Sequence, residues 1–153
     1  MITVALMAAA LSQPDPGSWR TYNPAVKQET LQETVCIRGY TATVRPPVYI
    51  TNVIKKRLLE AQGMTWDSAP TLRLDHVVPL YAGGEAGDPN HTSNFQLQRV
   101  EEATRKDRLE AKIGCMICVG QITLDEGHDA FLNWQSAYHH YARIKCDRPR
   151  PSE

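Results

Sequence analysis

Residues 72–84, LRLDHVVPLYAGG, constrain this chain more than any other segment. Asp75 and His76 stand side by side between two apolar stretches. Taking two ionisable groups out of water is costly unless both are paired or bound to something. A core strand has no use for such a pair, whereas a reactive site does. Gly83-Gly84 marks a turn where positive φ is needed. The segment therefore reads as a strand over 72–80 and a turn through AGGEAGDPN, with a second short strand near 95–97. A helix over about 100–112 follows, in which Glu101–Arg105 and Glu102–Lys106 are favourable i,i+4 pairs.

The rest of the chain supplies a frame around that unit. Residues 12–33, with QPDPGSWRTYNP, form an extended lead-in rich in turn formers. The β-branched run TVCIRGYTATV predicts a strand or hairpin over 34–44, ended by Arg45-Pro46-Pro47 because proline cannot donate to a continuing ladder. Ile50, Val53/Ile54, Leu58 and Ala61 recur at helical spacing and predict a helix over 48–62, stopped by Gly63. Leu124, Phe131, Trp134, Tyr138 and Tyr141 line one face of a last helix over 124–142, an aromatic stripe that reads as core. The fold class is α+β, with one domain over 34–146 and a loose basic tail over 147–153.

The 153 residues carry 17 basic and 17 acidic side chains, so no global positive field advertises nucleic acid and any polyanion contact must be a local patch. Residues 1–11, with the run ITVALMAAAL, read as a signal-peptide remnant or an apolar N-terminal helix. The run lacks the basic flank of a full export signal and falls short of the roughly 20 apolar residues that span a bilayer. Cys36, Cys115, Cys118 and Cys146 make an even set that suits two disulfides in an oxidising compartment, with three possible connectivities. A zinc site is the rival, but no second CxxC completes Cys115-Met-Ile-Cys118. The expected location is secreted or periplasmic, with no stable membrane insertion.

A hairpin that hands its chain to a helix can aim side chains from both elements at one metal ion, an arrangement suited to phosphodiester hydrolysis. Asp75-His76, Pro79-Leu80, Gly83-Gly84 and Asn94-Phe95-Gln96-Leu97 resemble the HNH endonuclease family and its ββα-metal fold. The resemblance extends to small exported bacterial proteins with an HNH signature, which share elements like Cys36-Ile-Arg-Gly-Tyr, Val44-Arg-Pro-Pro and Lys106-Asp-Arg-Leu-Glu. It implies His76 as the general base that activates water, Asp75 as a metal ligand, and Asn94 as the residue that ties the loop to the base-bearing strand. The family's helical metal-binding histidine has no counterpart here. Ala103 or Thr104 stands in its place, and Asp107, one turn beyond Ala103, is the expected substitute. A carboxylate pair with waters favours Mg²⁺ or Mn²⁺, with Zn²⁺ a further candidate.

Around these, Lys106 is a candidate for stabilising phosphate charge, or else a solvent-face partner of Glu102. Arg45 and Arg108 are candidates for phosphate contacts, because a planar guanidinium grips phosphate in bidentate fashion. His91, in the polar turn before Asn94, is a candidate substrate contact. His139-His140 points in two directions on a helix and reads as structural. The resemblance implies a metal-dependent endonuclease acting on DNA, or on RNA as well. The alternatives are a binding module for nucleic acid or protein on a degenerate scaffold, and a disulfide-stapled extracellular structural protein.

Overall fold

From Thr21 onward the chain closes a small antiparallel sheet between helices. The computed structural model describes residues 21–147. The signal-like segment 1–11, the first part of the lead-in and the tail beyond residue 147 lie outside the described residues. Helices α1 (Tyr40–Val44) and α2 (Val48–Ala61) precede strand β1 (Leu72–His76), and β2 (Phe95–Arg99) runs directly into α3 (Val100–Cys118). Helices α4 (Leu124–Leu132) and α5 (Trp134–Tyr141) close the chain. The result is a mixed α+β architecture with a two-stranded sheet.

β1 and β2 pair antiparallel, with Leu72 opposite Arg99, Leu74 opposite Leu97 and His76 opposite Phe95. Since side chains alternate along a strand, Arg73 and Asp75 share one face and His76 takes the other. α3 packs on both strands and on α4 and α5. Its Leu109, Ile113 and Ile117 meet Phe131, Trp134 and Ala137 in the main core, with Val78 and Ala82 of the loop buried among them. The apolar stripe of α3 thus outlasts residue 112, and the helix continues to Cys118. In α2 the buried face is Ile54 and Leu59, while Val53 is exposed. Gly63, at φ 69°, ends α2 as expected, its N–H donating to the Glu60 carbonyl.

Three expectations are corrected. Residues 34–44 form no strand: they run through turns into α1, which starts after Gly39 at φ 89°. The β-branched threonines are satisfied locally, Thr34 Oγ1 donating to the Thr30 carbonyl and Thr43 Oγ1 to that of Tyr40. The lead-in is extended only in part, because a 3₁₀ helix occupies Gln28–Glu33. The last helix is two, broken at Asn133 (φ −123°, ψ 43°), whose amide turns toward the Asp129 carbonyl. The aromatic stripe survives the break. Leu124, Phe131 and Trp134 are buried, and Tyr138 and Tyr141 pack partly against the core.

All four cysteines are paired, Cys36 with Cys118 and Cys115 with Cys146. Both bonds end on α3, tying the N-terminal turn and the C-terminal segment to its far end. Two disulfides suit an extracellular or periplasmic setting, and no described helix is long and apolar enough to cross a membrane. The bonds close spans of 82 and 31 residues. The chain-entropy relation gives about 4.5 and about 3.7 kcal/mol for such spans. Replacing Cys36 and Cys118 together by serine is therefore expected to lower unfolding stability more than replacing Cys115 and Cys146, as read from urea denaturation of each oxidised double variant.

Candidate functional site

The loop between the strands is organised by one buried amide. Asn94 is fully buried; its Oδ1 accepts from the Val78 N–H at 2.8 Å, and its Nδ2 donates to the Val78 carbonyl at 2.9 Å and the Glu85 carbonyl at 2.8 Å. Those bonds take the place of ladder partners for Val78. The predicted strand over 72–80 accordingly stops at His76, and a 3₁₀ turn occupies Leu80–Ala82. The two glycines serve different ends. Gly83 adopts φ 74°, as the turn requires, whereas Gly84 is needed for close approach. A Cβ on Gly84 would lie 1.8 Å from the Val78 carbonyl oxygen and 2.7 Å from Asn94 Nδ2.

This frame holds His76. Its Nε2 lies 3.1 Å from the Ala86 carbonyl oxygen, and its ring packs on Phe95 with centroids 4.5 Å apart. A carbonyl can only accept, so Nε2 carries the proton and Nδ1 keeps its lone pair. Burial pushes the His76 imidazole below its ordinary value, with the Ala86 carbonyl and Asp75 pulling the other way and Arg45 and Lys106 adding to the depression. The ring is thus oriented by the Ala86 carbonyl, and burial favours its neutral form.

Behind His76 lies a buried ionic cluster. Lys106 Nζ is fully buried and donates to Asp75 Oδ2 at 2.8 Å, to the His76 carbonyl at 2.6 Å and to Glu110 Oε1 at 2.6 Å. Tyr81 OH donates to the other Glu110 oxygen at 2.9 Å. Glu110 accepts at both oxygens, the role of a carboxylate. Burial nonetheless holds it above the usual carboxylate value, against the pull of Lys106. Burial and the neighbouring Glu110 hold the Tyr81 phenol up, so it stays a donor. Asp107 is half-exposed and takes a bidentate grip from Arg73, with both N–O distances 2.8 Å. Lys106 is therefore neither a solvent-face partner of Glu102 nor able to touch a substrate from its buried position.

Oxygens of Asp75, Asp107 and Glu110 lie within 4.8 Å of one another, a spacing that could hold a metal ion. Each of the three carboxylates already accepts from an internal donor, however. Lys106 takes Asp75 and Glu110, Tyr81 takes the second Glu110 oxygen, and Arg73 takes both oxygens of Asp107. A divalent cation prefers several free oxygens in a set geometry. Lys106 already engages two of these carboxylates, so a cation bound here would share them with its ammonium.

An open cleft of about 650 Å³ exposes His76 beside Asp75, Asp107 and Glu110, with Arg45, Lys55 and Arg73 along its walls. Lys55 is fixed there by bonds of 2.7 Å to the Ala69 and Leu72 carbonyls. Of the expected phosphate contacts, Arg45 borders the cleft, while Arg108 is exposed elsewhere on α3 and does not line it. His91 is also outside it, paired with Asp88 at 2.9 Å in its own turn. His139 and His140 sit on the exposed face of α5, edge-on to Tyr138 and Tyr141. Glu110, Arg73, Tyr81 and Lys55 were not singled out in the sequence. Two had a signal: Glu110 follows Lys106 by four residues on one helix face, and Arg73 precedes Asp75 by two on one strand face.

No family model, curated protein or solved structure matches the chain. Two outcomes follow from the site itself. Gly84→Ala forces backbone to move and should cost on the order of 1–3 kcal/mol, as overpacking does, seen as a lower urea midpoint with unchanged slope. The His76 imidazole should titrate below 6.5 by NMR. Since the folded form then binds fewer protons than the unfolded chain, its contribution to stability is present above about 6.5 and declines as pH falls toward the folded value.

Proposed function

We propose that the protein is a nuclease of HNH type, hydrolysing phosphodiester bonds with His76 as general base. The observation that carries this reading is His76 itself: a depressed imidazole, fixed in one tautomer by the Ala86 carbonyl, facing a cleft bordered by Arg45, Lys55 and Arg73. The order of hairpin and helix, and the hold of Asn94 on the loop beside the base, agree with the resemblance read from the sequence.

In this reading a water beside His76 attacks phosphorus and gives its proton to Nδ1. The bond from phosphorus to the leaving oxygen breaks, and that oxygen takes a proton from solvent. Arg45 is the freest cation for the phosphate, and Arg73 and Lys55 add charge along the wall. Asn94 and Lys106 are positioning residues, the first through the loop and the second through the His76 carbonyl and Asp75. Affinity rests on phosphate contacts, so it falls as salt rises. DNA is the first substrate to test and RNA the second.

A binding module without turnover is the second reading, favoured by the occupation of all three carboxylates by internal donors. Nicking of supercoiled plasmid by the oxidised protein, with Mg²⁺, Mn²⁺, Zn²⁺ or EDTA, separates the two. His76→Ala should lose about 10²–10⁴-fold of the rate, the usual contribution of a general base. Retention of the full rate in His76→Ala, or plasmid and RNA left intact under every condition, would sink the nuclease reading.

A further inference from the structure

We infer that Lys106 is the resident cation of this site: its Nζ fills the place among Asp75, Glu110 and the His76 carbonyl that a divalent ion would need, and no such ion binds there while Lys106 is in position. An ammonium has three N–H donors, and here each has one oxygen acceptor, at 2.8, 2.6 and 2.6 Å. The Phe131 ring lies 5.8 Å from Nζ and helps enclose it. The side chain has no exposed surface and is among the largest fully buried ones of the described residues. An ion reaching the same oxygens of Asp75 and Glu110 would be a close neighbour of Nζ and repelled by it. Asp107, the third carboxylate within 4.8 Å, is held by both guanidinium nitrogens of Arg73.

A buried ion pair is stabilised only when its remaining hydrogen-bonding groups are met. Asp75 comes from β1, Glu110 from α3, and Tyr81, from the loop, completes Glu110. Lys106 thus joins strand, helix and loop as a bound metal would, using a charge that cannot be chelated away. It acts on the reaction through the His76 backbone and Asp75, never on the substrate.

This inference deepens the nuclease reading and rests on it only for activity in the absence of metal. The test is a calorimetric titration of the full oxidised protein with MnCl₂, run beside Asp75→Asn, Glu110→Gln and Lys106→Met, with the melting temperature of each followed with and without Mn²⁺. Wild type should show no saturable site that depends on Asp75 or Glu110, and any plasmid nicking should persist in EDTA. Lys106→Met, with both carboxylates released, should gain one Mn²⁺ site and a melting temperature that rises with Mn²⁺.

A saturable wild-type site lost in Asp75→Asn or Glu110→Gln overturns the inference, and the wild-type titration decides it even where Lys106→Met does not fold. A folded Lys106→Met that ignores Mn²⁺ also overturns it. Nicking that requires Mn²⁺ bound through these carboxylates would remove this inference and leave the nuclease reading intact. An absence of nicking with no Mn²⁺ site would do the reverse.

Discussion

The contact on which the rest of the site depends is the ammonium of Lys106 between Asp75 and Glu110. It crosses from α3 to β1 inside the apolar core, where a lone charge would be intolerable and a satisfied one is directional. Because Nζ also takes the His76 carbonyl, the end of β1 is fixed from behind. The imidazole of the same residue is fixed from the other side by Ala86 and Phe95. Backbone and side chain of His76 are therefore held by separate partners, so the ring keeps its orientation.

Asn94 performs the complementary task on the loop. A strand that ends beside a site leaves backbone groups without ladder partners, and buried groups of that kind must be met. The Asn94 amide meets both polar groups of Val78 and one of Glu85, while its own carbonyl accepts from Val77 N–H at 2.8 Å. Gly84 lies so close that any side chain there would occupy the same space. The loop is thus as tightly specified as the strands it joins.

Periodicity made α2 legible through apolar residues at helical intervals, while the hairpin was read from its turn glycines and α3 from its i,i+4 charge pairs. Elements set by distant partners were less so. The end of β1 at His76 depends on Asn94, many residues later, and the bond from Cys36 to Cys118, which ties the turns over 34–44 to α3, has a pairing the sequence left open. Lys106 is instructive, since acidic residues stand four positions before it and four after. Helical spacing alone cannot choose between Glu102 and Glu110. Asp75, arriving from another element, decides in favour of the inward one. Asp107 was read as a metal ligand, and its partner Arg73 became visible only with the strand register.

The Lys106 cage also limits how this sequence can drift. Neutralising Asp75, Lys106 or Glu110 alone unbalances charge in a water-poor pocket, while replacing all three by apolar residues of similar volume would remove the burden together. The three positions, on two different elements, therefore form one heritable unit. A lineage can pass from one such arrangement to another through paired substitutions, whereas a single replacement carries the cost of an uncompensated buried charge. Distant kin of this chain are better sought by looking for concerted change at 75, 106 and 110 than by scoring each position separately.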